Sequence, residues 1–329
     1  MNGPNGAAVT VLISSAGRRV ELIRCFREDA ARLGMSVRVI ATDVDPTWSS
    51  ACGAADAWFE VPRSTDRGFV DRMVELCEQN AVSIIVPTID TELAVLSESV
   101  DRFGGVPTVV AVSTPAVVAL ARDKAATAAF LSSIGVPTPR TALASEAAGQ
   151  SWAGPVIVKP RGGSSSIGIK RLRSIGELTE EDATSANVIQ ELLAGEEYTV
   201  NVYFGPDGAL RAAVPHWRRE TRAGEVSKGQ TRRHPALEQV ARRLGDGLSG
   251  ARGALCFQAI VDAEERVSVF EINARFGGGY PLAHRAGARF SQWMLEERTG
   301  RTPSYDNDWT DGTVMLRYDA AMFRDGTSG

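Results

Sequence analysis

The stretch Val267–Tyr280, VSVFEINARFGGGY, sets the problem. It opens as an apolar strand, meets a carboxylate, an amide and a guanidinium at alternate positions, and ends in a run of glycines. In a regular strand alternate residues share a face. Val267, Val269, Glu271, Asn273 and Arg275 are therefore expected on one side, with Ser268, Phe270, Ile272 and Ala274 on the other. Burying a polar trio of this kind without partners is costly. Glu271 and Asn273 are oxygen ligands of the sort Mg2+ takes one or two at a time beside substrate phosphates. Arg275 would then face the anion that the metal activates. The plainer alternative is an edge strand with a solvated polar face.

Upstream lie three more stretches with the same ambiguity. Ala254–Val261 reads as an apolar strand carrying a lone Gln258, which either faces the same cavity or satisfies a backbone group in the core. In Val188–Val202, VIQELLAGEEYTVNV, a strand ends at Gln190, a connector Glu191–Gly195 follows, and Glu197 opens the next strand. Such a connector can read the edge of a flat base and such a carboxylate can grip a diol, or the segment is a surface hinge. The third is Lys159–Lys170, KPRGGSSSIGIK, directly after the apolar run at 155–158. It lacks the G-x-x-x-x-G-K-[ST] pattern of a P-loop and joins two strands. Its glycines allow close backbone approach to an anion and its serines add hydroxyl donors. It reads as a lid that is poorly ordered without its ligand, with Lys159 the contact and Lys170 solvated.

The first third alternates strands and helices: Val9–Ser14, Val20–Leu33, Ser36–Thr42, Phe69–Gln79, Val82–Pro87, a helix through Val100 and a strand near Pro107–Val112. This pattern predicts βαβ units on a parallel sheet, with ligands at the carboxyl ends of its strands. Asp43 after the second strand suggests dinucleotide binding, but the first turn, Ser14-Ser-Ala-Gly-Arg-Arg19, lacks G-x-G-x-x-G. After Thr114 an Ala-rich helical pattern, Pro115–Ile134, breaks at Arg122-Asp-Lys124. Hairpin-like strands follow, with a charged helix before Val188. The fold class expected is α/β, a Rossmann-like parallel-sheet domain over 1–114 followed by a two-part α+β unit divided at 115–190 and 191–329.

The chain has 329 residues, 43% of them apolar, and a net charge of −4, which gives no support to general nucleic-acid binding. No segment reaches the roughly 18 apolar residues that span a bilayer. Arg18 and Arg19 follow the first apolar run instead of preceding it, so that run reads as a strand and not a secretory signal. Four dispersed cysteines without a C-x-x-C pair fit a reducing cytoplasm. Three histidines, none in H-E-x-x-H, argue against a zinc hydrolase.

In order along the chain, the segments VLISSAGRRVEL, VPTIDTEL, DKAATAAFL, VIVKPRGGSSSIGI, IQELLAGEEYTVNV, FEINARFGGGYPLAHRAG and VMLRYDAAMF resemble the ATP-grasp superfamily. The likeness is greatest to stand-alone members similar to one half of the carbamoyl-phosphate synthetase large chain. The resemblance implies a pre-ATP-grasp domain and two subdomains that clamp ATP, phosphorylate a carboxylate and pass the acyl phosphate to an amine. A triphosphate and a carboxylate repel each other, so cations must hold both in line. By position Lys124 and Lys159 match the ATP-binding basic residues, and Gly163, Ser164, Ser165, Ser166 and Ile167 the lid. Gln190, Glu191, Leu192 and Leu193 match the adenine-reading connector, and Glu197 the ribose-binding acid. Glu271 and Asn273 match ligands of Mg2+, or of Mn2+ in its place, with Gln258 where many relatives carry a carboxylate. A neutral amide is expected to bind the metal more weakly. Arg275 matches the residue that holds the acyl phosphate, with Lys159 and Asn273 beside it in the chemistry.

On the substrate side the resemblance places His216–His234 as a loop over the acceptor. Arg218, Arg219 and Lys228 are then anion contacts, or else a solvated basic face broken by Glu220 and Glu225. Glu92 is expected toward substrate and Asp90 as a helix cap; Gly278 is placed beside the substrate. The function implied is ATP-dependent joining of a small-molecule carboxylate to an amine in the cytoplasm, with no nucleic-acid or membrane partner and a homodimer left open. A ligase or carboxylating enzyme using bicarbonate or a non-amine nucleophile, and a non-catalytic ATP-binding regulator, are the alternatives. The Glu271/Asn273/Arg275 row argues against the regulator, since sensing a nucleotide needs no acyl-phosphate arginine.

Overall fold

Three sheets organise the chain, whose computed structural model describes residues 9–147, 149–163 and 168–323. The first is parallel and five-stranded. Its spatial order is Ala57–Glu60, Val37–Asp43, Val9–Ser14, Ile84–Pro87 and Val109–Val110, with helices Val20–Arg32, Phe69–Asn80 and Asp90–Glu98 as crossovers. The central strand Val9–Ser14 is buried along its whole length, as a strand covered on both faces must be. The edge strand Ala57–Glu60 and the short helix Ser50–Ala54 carry too little pattern to be read from sequence. Asp43 is spent locally: Gly17 N–H donates to its Oδ2 at 2.9 Å and Val44 N–H to its Oδ1 at 2.8 Å. It fixes the first turn.

The second sheet has four strands, Thr141–Leu143, Asn187–Glu191, Val156–Pro160 and Lys170–Leu172 in order. The Ala-rich segment before it forms two helices, Pro115–Arg122 and Lys124–Ser133. Asp123 separates them because its side chain accepts from Ala125 N–H and Ala126 N–H, a helix cap. No α-helix forms between this sheet's lid strands and Asn187. Where a charged helix is expected there is one 3-10 turn, Ile175–Glu177. Lys170 pairs with Asp182 at 2.8 Å. Ser164, Ser165, Ser166 and Ile167, the centre of the expected lid, lie outside the described residues.

The third sheet is antiparallel and six-stranded, ordered Val267–Asn273, Gly253–Val261, Glu196–Phe204, Leu210–Arg222, Glu225–Thr231 and Val314–Leu316. The basic segment expected as a loop is mostly a hairpin, its strands turned by Ala223 and Gly224 at φ 50° and 77°. A β-bulge changes the reading of Val267–Asn273. Gln258 pairs with Glu271 but the next residue, Ala259, pairs with Val269, so Phe270 is extra. The bulge reverses the alternation: Val267, Val269, Ile272 and Ala274 all enter one core cluster, while Phe270, Glu271, Asn273 and Arg275 turn to the opposite side, where they line a cavity. The regular alternation expected from sequence is thereby corrected, and the two valines do not share the polar row.

Buried polar ties hold the first domain to the third sheet and its helices, Tyr280–Ala286 and Phe290–Arg298. Asp29, fully buried, contacts His284 Nε2 at 3.0 Å and accepts from Ser291 Oγ at 2.5 Å and Arg289 Nη1 at 2.6 Å. Among the described residues no helix is long and apolar enough to cross a membrane.

Glu92 is a structural acid. Its carboxylate, with no exposed surface, accepts from Ser14 Oγ (2.5 Å), Ser15 Oγ (2.8 Å), Thr88 N–H (2.7 Å) and Ile89 N–H (3.1 Å). These bonds cap helix Asp90–Glu98 and tie it to the strand end. Glu92→Gln turns an amide N–H2 toward donors and should cost about 3 kcal/mol. The expected result is a thermal midpoint lowered by about 5–10 °C. An unchanged midpoint in a melting experiment would overturn this account of Glu92.

Candidate active site

A cavity of about 750 Å³ lies between the second sheet, the third sheet and the first βα turn. Its floor is a polar row contributed by neighbouring strands. Glu197 accepts from Arg218 Nη1 at 2.9 Å. The Gln258 amide, in the orientation that satisfies both neighbours, accepts from Arg218 Nη1 and donates to Glu271 Oε2 at 2.9 Å. Arg218 Nη2 also donates to Gly224 O at 2.8 Å. The chain Glu197–Arg218–Gln258–Glu271 thus crosses the sheet.

At the end of the row Arg275 meets the first domain. Its Nε and Nη2 donate to the two oxygens of Asp90 at 3.0 and 2.8 Å, and Nη2 reaches Asn273 Oδ1 at 3.4 Å. Burial opposes the charge on Arg275, but Asp90 more than offsets it and holds the guanidinium above its usual range. Asp90 and Glu92 therefore exchange the places expected of them. Asp90 reaches the site through Arg275, and Glu92 is consumed in the cap.

The facing wall is cationic. Lys159, buried, donates to Gln190 Oε1 at 2.7 Å and sits 4.9 Å from the centre of the Phe270 ring. Burial pushes its pKa down to about 8, against the pull of Glu271. Lys124 donates to Gly163 O at 2.8 Å. Burial raises the Glu271 carboxyl above its usual range, with Lys124 and Lys159 opposing. A carboxylate in that position with one amide donor, beside the Asn273 amide, fits a hard divalent cation. Among the described residues no group of three or more His, Cys, Asp or Glu could hold a metal ion, so such a cation would need oxygen atoms from its substrates. Gln258 carries its oxygen toward Arg218, which makes it a bridge between cation and carboxylate.

Other expected residues fall elsewhere. Gln190 lies behind Lys159, its amide nitrogen on Thr141 Oγ1 at 3.0 Å, so it positions the lysine. The connector Glu191–Leu193 does not line this cavity; Leu192 N–H is held by Pro155 O at 3.1 Å. Arg219 is exposed and packs 5.2 Å from the Trp217 ring centre. Lys228, also exposed, pairs with Glu220 at 2.7 Å. Neither lines the cavity that Arg218 lines; the hairpin pairing shifts register on both sides of Glu220, which breaks simple alternation there. Gly278 does line it. A Cβ there would come 2.7 Å from the Glu225 carboxylate, and one on Gly279 would come 2.5 Å from His216 Nε2. The glycine run is what lets this loop close on Glu225 and His216. Sequence reasoning missed Arg18, Arg19, Arg171, Glu225 and Phe270, all in the wall. The Arg pair after the first strand was the available signal.

Residues 11–110 match the PylC-like N-terminal domain and residues 121–279 the ATP-grasp domain. The chain carries an ATP-grasp domain. Similar curated proteins include the D-alanine–D-alanine ligases of Stutzerimonas stutzeri (strain A1501), 33% identical over 202 residues, and of Ectopseudomonas mendocina (strain ymp), 39% identical over 202 residues. Each alignment covers 54% of this chain and 64% of the relative, so the chain spans less than two thirds of their length. Among solved structures, the biotin carboxylase domain of Hydrogenobacter thermophilus 2-oxoglutarate carboxylase superposes with a TM-score of 0.71 at 17% identity, over 92% of this chain and 72% of that one. The L-amino acid ligase of Bacillus licheniformis gives 0.66 at 17% identity, over 90% and 75%. At such identities the likeness is one of fold.

The bridging role of Gln258 has a direct test. Gln258→Glu sets two carboxylates side by side, a repulsion that a divalent cation relieves. The variant should bind Mg2+ or Mn2+ about tenfold more tightly or better, read as a metal-dependent rise in melting temperature. Metal dependence equal to that of the wild type would refute the placement.

Proposed function

We propose that this protein is an ADP-forming ligase that uses ATP to activate a small-molecule carboxylate as an acyl phosphate and joins it to an amine. The observation that carries the reading is the row Glu271, Asn273 and Arg275, turned by the bulge to face Lys124 and Lys159 across one cavity. The D-alanine–D-alanine ligase relatives support the same chemistry. Mg2+, held by Glu271 and Asn273 together with phosphate oxygens, would supply charge neutralisation between the two anionic reactants. Lys124 and Lys159 hold phosphate oxygens. Glu197, on the cavity floor, serves the ribose. Arg275, aimed by Asp90, holds the carboxylate and its acyl phosphate and stabilises the oxyanion that forms when the amine attacks.

Phosphate release from Mg·ATP, measured across pairs of carboxylic and amino acids, tests the reading. Stimulation that requires one acid and one amine is expected, with Glu271→Gln and Arg275→Ala reducing turnover by about a thousandfold while the melting curve stays cooperative. Production of AMP and pyrophosphate would exclude an acyl phosphate. Stimulation by bicarbonate without an amine would replace amide formation by carboxylation.

Lys159 adds a pH dependence. Its pKa of about 8 in the free protein must rise when phosphates bind, so above pH 8 binding draws in a proton. ATP affinity should fall as pH rises from 8, by up to about tenfold per unit, and this group should leave it flat below about 7. In Lys159→Arg, which stays charged, calorimetric titration between pH 7 and 9.5 should lose that slope. Its persistence would show that another group is responsible.

A further inference from the structure

Besides Lys124, Lys159 and Arg275, the cavity wall holds more positive charge than the proposed reaction needs. Arg18 and Arg19 enter it from the turn after the first strand. Glu225 enters from the Leu210–Thr231 hairpin and accepts from Arg19 Nη1 and Arg317 Nη1, both at 2.8 Å. One carboxylate thus stands against the guanidinium groups of Arg18, Arg19 and Arg317. Burial works against the charge on Glu225, yet Arg19, Arg317 and Arg18 outweigh it and hold its carboxyl below the usual range.

The other buried guanidiniums of the wall are compensated, Arg218 by Glu197 and Arg275 by Asp90. Among the described residues Arg18 and Arg171 line the cavity without a hydrogen-bonded partner. Arg171 belongs to the lid-side strand Lys170–Leu172, near the phosphate cations. Arg18 instead acts on the Glu225 carboxylate.

The turn that presents it is rigid. Gly17 N–H is held by Asp43, Gly17 O accepts from Ser49 Oγ at 2.9 Å and Ala51 N–H at 3.0 Å, and Arg19 N–H donates to Ala16 O at 2.8 Å. A cation presented by a fixed turn, with no hydrogen-bonded partner of its own and one carboxylate shared among three guanidiniums, is a candidate anion subsite on this wall.

We propose that Arg18 and Arg19, spaced by Glu225, bind an anionic group on the carboxylate substrate, a second carboxylate or a phosphate ester, distinct from the carboxyl that is activated. The proposal rests on the ligase reading for which carboxyl reacts. The subsite itself can be tested without turnover. Binding of the dicarboxylates from malonate to adipate, and of 3-phosphoglycerate, is compared by calorimetry with that of monocarboxylates of equal length, at constant ionic strength, with and without Mg·ADP.

At least one dianion should bind about tenfold more tightly than its monoanionic counterpart. Whether a dicarboxylate or the phosphate ester gains more identifies the second group. In Arg18→Gln, a change on an exposed turn residue, the preference should fall to within about twofold while Mg·ADP still binds. Equal binding of mono- and dianions, or a preference that survives in Arg18→Gln, overturns the subsite. A wild-type protein that selects dianions but does not bind Mg·ADP retains the subsite and sinks the ligase reading instead.

Discussion

The pair between Arg275 and Asp90 is the constraint on which the cavity rests. A guanidinium at the end of the third sheet's floor strand is closed on both oxygens of a carboxylate that heads a helix of the first domain. Both side chains are largely buried, at 12% and 15% exposure. Removing one partner of such a pair typically costs 3–5 kcal/mol, roughly, because the other charge is left stranded. Replacing both by apolar residues is often neutral or favourable. Stability alone therefore does not explain the pair. What it secures is direction: the two parallel bonds fix the plane of Arg275, and with it the position of the floor relative to the carboxyl ends of the parallel strands.

The second constraint is the bulge at Phe270. Without it, the alternation that buries Val267 and Val269 would carry Glu271, Asn273 and Arg275 into the same apolar cluster. Three polar side chains would then be desolvated with no partners. One extra residue turns them outward as a set while Ile272 and Ala274 keep filling the core. It also brings the Phe270 ring to 4.9 Å from Lys159 Nζ, a cation–π contact across the cavity. The bulge thus acts on both walls of the cavity.

These features explain how far the sequence could be read. Four strands of the parallel first sheet were legible because short apolar runs alternate with helical patterns, whereas the edge strand Ala57–Glu60 was not. Lys124, Lys159, Glu197, Arg218, Gln258, Glu271, Asn273 and Arg275 were legible as polar types and do line one cavity, whereas Glu92, Gln190–Leu193, Arg219 and Lys228 do not. The faces of the strand residues were not legible. Alternation counts residues, and an added residue in one strand is visible only when its partner strand is known. The exchange of Asp90 and Glu92 has a similar cause: both lie in the first helical turn, and only the distant Ser14 and Arg275 decide which is capped and which is aimed. Arg219 and Lys228 looked equivalent to Arg218 as charges, but strand geometry leaves only Arg218 inside.

The charge pattern of the cavity bears on how it can open to ligands. Glu197 and Arg218 neutralise each other, as do Asp90 and Arg275, and Gln258 joins Arg218 to Glu271 without adding charge. A neutral amide at that position is significant because a carboxylate would compete with Glu197 for Arg218 and repel Glu271. With glutamine there, Arg218 has one carboxylate partner, Glu197, and one neutral oxygen partner. The desolvation of that guanidinium is already complete before any ligand arrives. Exchanging its carboxylate partner for an anionic substrate then costs little more than the difference between two ion pairs.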